Sequence, residues 1–166
     1  MNTYQVSVSA EAFAAAMLAR AGCDVSVQYG ANQPEYDLLA AKGTKLIRVS
    51  VKGSQDGSWI AAGSYKTKDV TYAQALNQWK HAHNPKTIFV FVQFYGVEFT
   101  APPRMYMANV GEIAKFLAGT RGGHINLILH EEHQYVRGVG AGHKDVIPQS
   151  WVMTKHRIDE LIMKYG

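Results

Sequence analysis

The segment from Thr87 to Tyr95 (TIFVFVQFY) constrains the fold of this chain more than any other. Asn84-Pro85 precedes it and Gly96 follows it, so turn-forming residues bound it at both ends. Its apolar residues are consecutive rather than alternating, which is typical of a strand that is covered on both faces. We therefore expect a central strand with other layers of structure packed on its two sides.

A second segment, KLIRVSVK from Lys45 to Lys52, shows the clearest two-residue period in the sequence. Alternate side chains of a strand point to opposite faces of its sheet. One face is then apolar and the other polar: Ile47, Val49 and Val51 against Arg48, Ser50 and Lys52. The segment predicts a half-buried strand.

Four helices are predicted around these strands. The first covers residues 9–21, with Ser9 as its N-cap and Gly22 as its stop, and the others cover residues 71–83, 109–119 and 154–166. Asn109 and Glu112 have the spacing of a capping box. Further strands are predicted at 23–29, 36–41, 104–108 and 125–130. The order of elements predicts an α/β fold, a mixed central sheet flanked by helices, in a single domain over residues 1–166.

Composition narrows the class of protein. Cys23 is the only cysteine, so an internal disulfide and a cysteine-based zinc cluster are both excluded. No apolar run approaches the roughly 20 residues that cross a bilayer, and the first residues lack the pattern of a secretion signal. These features favour a soluble cytoplasmic protein without a membrane partner, and no small-molecule cofactor is evident.

Positive charge is concentrated in the middle of the chain. The net charge is +4, but residues 42–86 hold eight Lys or Arg against two Asp, which is +6. A basic segment suits a polyanionic partner, because bound phosphates release condensed counterions. Candidate nucleic-acid-binding residues are Arg48, Lys66, Lys68 and Lys80. The alternative is a solvated, lysine-rich surface.

Two neighbouring predicted strands carry a spaced set of acidic and basic residues. Pro34-Glu35-Tyr36-Asp37 is followed, after twelve residues, by Ser50-Val51-Lys52. With this spacing the chain resembles the PD-(D/E)XK nuclease superfamily, and within it the small resolvase-like and homing-endonuclease-like members. Their pattern is a helix bearing Glu, then a hairpin with Asp on one arm and (Glu/Gln)-X-Lys on the other. Glu11, Asp37 and Lys52 match that pattern, and the resemblance covers roughly residues 9–119, which implies a restriction-endonuclease-like core.

The resemblance implies a site for Mg²⁺ or Mn²⁺. Hydrolysis of a phosphodiester needs a hard cation that polarises the phosphoryl group and activates a water. Asp37 and the carbonyl of Val51 would be metal ligands, and Glu11 would hold the metal through a water. Lys52 would position or deprotonate the water and offset charge in the transition state. Each residue also has an ordinary structural interpretation, such as an Asp37–Lys52 ion pair or Glu11 at a helix start.

Ser50 departs from the family pattern, which has Glu or Gln at this catalytic position. A serine hydroxyl is a shorter and poorer metal ligand than a carboxylate. The leading hypothesis is a divalent-metal-dependent DNA endonuclease of resolvase, homing or defence type, acting as a homodimer as the resemblance implies. The alternative is a degenerate nuclease-fold protein that binds nucleic acid or a protein partner without cleavage.

Other motifs carry weaker hypotheses. The pairs His81/His83 and His130/His133 have spacings that sometimes bind zinc, but neither has a clear third ligand, so we expect exposed histidines. Aromatic residues among the lysines would stack on bases or, more simply, belong to the core: Trp59, Tyr65, Tyr72 and Trp79.

Overall fold

A computed structural model describes residues 1–28 and 35–166 and has a five-stranded mixed sheet between two helical layers. The strands are β1 (Asp24–Val27), β2 (Leu38–Lys42), β3 (Lys45–Ser54), β4 (Ser58–Ile60), β5 (Ile88–Gln93), β6 (Arg104–Asn109), β7 (Ile128–His130), β8 (Glu132–Gln134) and β9 (Lys144–Val146). The helices are α1 (Thr3–Arg20), α2 (Tyr72–Ala82), α3 (Val110–Gly123) and α4 (Lys155–Tyr165), with 3₁₀ turns at Gly63–Tyr65 and Gln149–Trp151. The predicted α/β fold with a mixed sheet is confirmed.

The order of strands in the main sheet is β1-β2-β3-β5-β6. β3 and β5 are parallel, and the other neighbouring strands are antiparallel. All six residues of β5 are buried, which confirms the prediction of a central, doubly covered strand.

Each face of the sheet has its own hydrophobic core. On one face α1 and α4 pack against side chains such as Val49 and Val90. On the other, α2 and α3 pack against the aromatic side chains of Phe89 and Phe91. The alternation predicted for β3 is observed: Ile47, Val49 and Val51 belong to the α1/α4 core.

Helix α1 begins earlier than predicted. Its N-cap is Asn2, whose side chain accepts a hydrogen bond from the Gln5 N–H while the Gln5 side chain accepts one from the Asn2 N–H. The prediction of Ser9 as the N-cap is therefore wrong, because this capping box starts the helix seven residues sooner. The expected stop is observed: the helix ends at Arg20, and Gly22 follows with a φ of +88° that glycine adopts without strain. The Asn109–Glu112 capping box of α3 is also confirmed.

The crossing of α1 over β3 depends on Gly53. A Cβ atom placed there would lie 2.8 Å from Cγ1 of Val6 and 2.9 Å from Cβ of Ala10. Only a residue without a side chain lets the helix lie this close to the strand. The sequence did not predict the short strands β4, β8 and β9. Two predicted segments lie partly outside the described residues. These are residues 30–34 of the loop before Asp37, and Tyr29 at the end of the first predicted strand.

Within residues 1–28 and 35–166, no helix is both long enough and apolar enough to cross a membrane.

Candidate active site

Asp37 lies immediately before β2, next to Leu38, which pairs with Val49 of β3. Its backbone N–H donates to the carbonyl of Val49 at 2.9 Å. Its carboxylate oxygen Oδ2 accepts a hydrogen bond from the Val51 N–H at 2.6 Å and lies 3.4 Å from the Ser50 hydroxyl. The Asp37 carboxylate therefore accepts the Val51 N–H in place of a backbone carbonyl of a neighbouring strand. This hydrogen bond fixes the carboxylate against β3.

The backbone of β3 turns the carbonyl of Val51 towards the same edge. The N–H and C=O groups of one strand residue point to the same side, and successive residues alternate. The carbonyl of Val49 accepts from Asp37 on the β2 side, whereas the carbonyl of Ser54 accepts from Phe94 on the β5 side. Val51 has the same parity as Val49, so its carbonyl lies on the β2 side, beyond Leu38, where β2 begins.

Glu11 reaches this edge from α1, which the close packing at Gly53 holds against β3. Partial burial raises the pKa of the Glu11 carboxyl, and the negative charge of Asp37 raises it further, while the positive charge of Lys52 lowers it in part. A cation bound beside Glu11 and Asp37 would favour the ionised form of the Glu11 carboxyl.

These groups line one open cleft of about 690 Å³. Glu11, Asp37, Val51 and Lys52 all contribute to its walls, together with the turn that leads into β4. The structure thus brings together four of the five residues that the sequence predicts for the catalytic and metal site. The fifth, Ser50, is 2 % exposed and does not line the cleft, but its hydroxyl lies 3.4 Å from Oδ2 of Asp37.

The donor set fits a small hard cation. Within the described residues there is no cluster of three or more His, Cys, Asp or Glu side chains that could hold a metal ion. Two carboxylates and a backbone carbonyl are nevertheless the kind of oxygen ligands that Mg²⁺ accepts, since it usually keeps several of its waters. Both hydrogen bonds that the described residues donate to the Asp37 carboxylate fall on Oδ2.

The predicted nucleic-acid-binding residues do not line the cleft but lie on the α2 side of the sheet. Arg48 is exposed on the same face of β3 as Lys52, with its guanidinium 5.8 Å from the centre of the Tyr36 ring. Lys66 and Lys68 lie between the first 3₁₀ turn and α2, and Lys80 is exposed on α2. We refer to these four residues as the basic surface.

Asp56, at the turn between β3 and β4, was not predicted as part of the site but lines the cleft. Its Oδ1 accepts hydrogen bonds from the Ser58 N–H and the Ser54 hydroxyl, both at 2.9 Å. The hydrogen bond from the Ser58 N–H lowers the pKa of Asp56 most, and that from Ser54 adds to it. The signal in the sequence is a serine two residues to each side of an aspartate, a spacing typical of side-chain-to-backbone turns.

Three of the four histidines that were expected to be exposed are not. His130 and His133 are half-buried rather than exposed, and their rings stack with centroids 4.4 Å apart. His83 is also half-buried, against Trp79 and Phe89, whereas His81 is exposed as expected.

The comparison with known protein families identifies the class. The profile of the PD-(D/E)XK endonuclease family matches residues 1–95, more than half of the chain and all of the cleft residues named above. The chain belongs to this family.

Among solved structures, the chain is similar to Hjc, a Holliday junction resolvase from Archaeoglobus fulgidus. The two share 15% sequence identity, the match covers 75% of this chain and 88% of that one, and the TM-score is 0.39. No curated protein sequence matches the chain.

Proposed function

We propose that the protein is a divalent-metal-dependent endonuclease that hydrolyses phosphodiester bonds in DNA. The observation that carries this proposal is the Asp37 carboxylate, held by the Val51 N–H at 2.6 Å in a cleft that it shares with Glu11 and Lys52. Membership of an endonuclease family supports the same chemistry. The basic surface on the α2 side supports a polyanionic substrate.

Asp37 and the Val51 carbonyl would hold Mg²⁺ or Mn²⁺, with Glu11 completing the shell directly or through a water. A cation bound there would polarise the phosphoryl group and lower the pKa of an attacking water. The Lys52 ammonium would donate hydrogen bonds to a non-bridging phosphate oxygen, where negative charge builds up in the transition state. Arg48, Lys66, Lys68 and Lys80 would bind the DNA backbone away from the cut. We further propose a homodimer in a reducing cytoplasm, since cutting both strands takes two sites.

Plasmid nicking in Mg²⁺ and in Mn²⁺ tests the proposal. Asp37→Asn keeps the size and most hydrogen-bonding capacity of the side chain but loses its charge, so we expect cleavage to fall about 100-fold or more. Lys52→Ala should fall by a similar factor. The matched controls are Asp24→Asn, on exposed β1, and Lys164→Ala, on the outer side of α4. Equal cleavage by wild type, Asp37→Asn and Lys52→Ala would overturn the assignment of the site.

A second candidate function rests on Ser50. Its buried hydroxyl lies where the family pattern has a carboxylate or amide, which removes one side-chain ligand from the metal. On this alternative the protein binds DNA, or a protein partner, without cutting. It predicts salt-sensitive DNA binding that Asp37→Asn leaves unchanged, and no nicking by the wild type in either metal.

A further inference from the structure

A second cavity adjoins the candidate active site on the α2 side of the sheet. It encloses about 210 Å³, and Lys52 and Ile60 line both this cavity and the active-site cleft. A group that contacts Lys52 in the cleft is therefore one side chain away from the second cavity. We call it the aromatic cavity, after its walls of Trp79, Phe89 and Phe91.

Those walls are flat and firmly packed. The centroids of Trp79 and Phe89 are 5.9 Å apart, and the rings of Phe89 and Phe91 are stacked with centroids 6.0 Å apart. All three side chains are buried in the core between the sheet, α2 and α3. Rigid aromatic walls favour a planar ligand, because the protein loses little entropy when the ligand binds. A nucleobase is such a ligand, since every base has a π face that can pack against an aromatic ring.

Polar groups lie at the rim of the same cavity. Nδ1 of His83 is 2.7 Å from the carbonyl of Trp79. A carbonyl only accepts, so Nδ1 carries the proton and Nε2 of the neutral ring is an acceptor. The Ser64 hydroxyl, exposed on the first 3₁₀ turn, and the half-buried Tyr65 complete the rim. These are groups that can pair with the edge of a base.

We propose that the aromatic cavity holds one nucleobase of the DNA substrate, unstacked from its neighbours, while the adjoining phosphate lies at Lys52. The volume is below the roughly 300 Å³ at which sites for drug-sized ligands begin, so it suits one ring system and not a whole nucleotide. A base is joined to its own phosphate through one sugar, which matches two cavities separated by Lys52. The proposal deepens the proposed function and rests on it. It implies a substrate in which a base unstacks at little cost, such as a fork, a junction or a single-stranded arm.

Binding in metal-free buffer tests this without cleavage. The probe is a forked DNA in which a single abasic site is moved along the strands, one position at a time. For the wild type we expect affinity to fall about tenfold at one position, where the missing base no longer enters the cavity. Ser64→Leu adds bulk at the rim and should lose about the same affinity for intact DNA. The affinity of the Ser64→Leu variant for DNA should then fall no further when that base is absent.

Ser150→Leu is the matched control, because Ser150 is an exposed serine in the other 3₁₀ turn. Thermal unfolding checks that all variants remain folded, and His83→Ala provides a second change at the rim. Equal sensitivity of wild type and Ser64→Leu at every position would overturn the proposal, as would the absence of DNA binding at low salt. Mg²⁺-dependent cleavage of the same forked DNA is scored separately. An abasic pattern without cleavage would support the base site while contradicting the nuclease.

Discussion

The Arg157 network and the cleft at Asp37 both place charged groups against the central sheet, but only one of them is neutralised. Arg157, on α4, is 5 % exposed and donates to both carboxylate oxygens of Glu112 at 2.8 and 2.7 Å. It also donates to Glu160 at 2.9 Å and to the carbonyl of Met107 at 3.2 Å. The network ties α4 to β6 and to the start of α3.

The cleft is built in the opposite way. Burial and then the negative charge of Asp37 raise the pKa of Glu11, and the positive charge of Lys52 offsets only part of that rise. A network in which opposite charges are paired and hydrogen-bonded holds elements of a fold together. Two neighbouring carboxylates without a matching positive charge instead favour the binding of a cation. The comparison thus sets charge that holds the fold together against charge at the candidate active site, and it makes predictions for each.

Removing the arginine should give the largest loss of stability. Arg157→Ala leaves Glu112 without its buried partner, so we expect the free energy of unfolding in urea to fall by about 3–5 kcal/mol. Cleavage per folded molecule should stay the same, because Arg157 does not line the cleft. Arg20→Ala, at an exposed position of α1, is the control and should change stability by less than about 0.5 kcal/mol. A loss below about 1 kcal/mol for Arg157→Ala would mean that the network is not what holds α4.

Gly53→Ala tests whether the cleft depends on the close approach of α1. The added methyl would lie within 3 Å of Val6 and Ala10, so α1 must shift, at about 1–3 kcal/mol. Cleavage should fall further than stability, because the helix carries Glu11. The control is Gly119→Ala in α3, where a Cβ meets nothing within 4 Å. Cleavage that follows only the loss of folded protein would show that the position of Glu11 does not matter.

Features of the fold that depend on residues close together in the sequence could be predicted, whereas those that depend on distant residues could not. The alternation of β3 and the Asn109–Glu112 capping box are local patterns, and both predictions were confirmed. The start of α1 was missed because its outer face carries Tyr4 and Val8, so the helix has no clear polar period that marks where it begins. The Asn2–Gln5 spacing was nevertheless a readable cap.

The tertiary features of the site could not be read from the sequence in this way. β4 has only three residues, and its partner β7 lies about seventy positions further along the chain, so no local pattern marks it. The aromatic cavity combines β3, β5 and α2, and Trp79 alone indicated only a core residue. The pairing of Asp37 with the β3 edge was expected from the resemblance, but the hydrogen bond from the Val51 N–H required the structure.

Ser50→Glu sharpens the contrast by adding charge next to Asp37 rather than removing it. A carboxylate beside Asp37 should tighten Mn²⁺ binding on the order of tenfold, because affinity for hard cations rises with the number of charged oxygen ligands. Without metal, the same substitution should lower stability, since a third carboxylate adds repulsion at a buried position. Titration calorimetry with Mn²⁺ measures the first effect, and Ser50→Ala is the control for loss of the hydroxyl. Mn²⁺ binding no tighter than wild type would mean that the cation does not lie beside residue 50.

The smallest effect concerns a second pair of like groups, His130 and His133. His130 pairs with Ser58 of β4, which borders the cleft. Burial lowers the pKa of His130, and the neighbouring His133 lowers it further when charged. The folded protein then binds fewer protons than the unfolded chain, whose histidine has a pKa of 6.5. The free energy of unfolding should therefore fall as the pH drops through 6.5 towards the lower folded-state pKa, by less than about 1 kcal/mol from this residue. His130→Gln should remove that part of the acid loss in urea unfolding, while His124→Gln, at an exposed position, should not. If both variants lose stability with acid as the wild type does, the acid sensitivity of the fold does not come from His130.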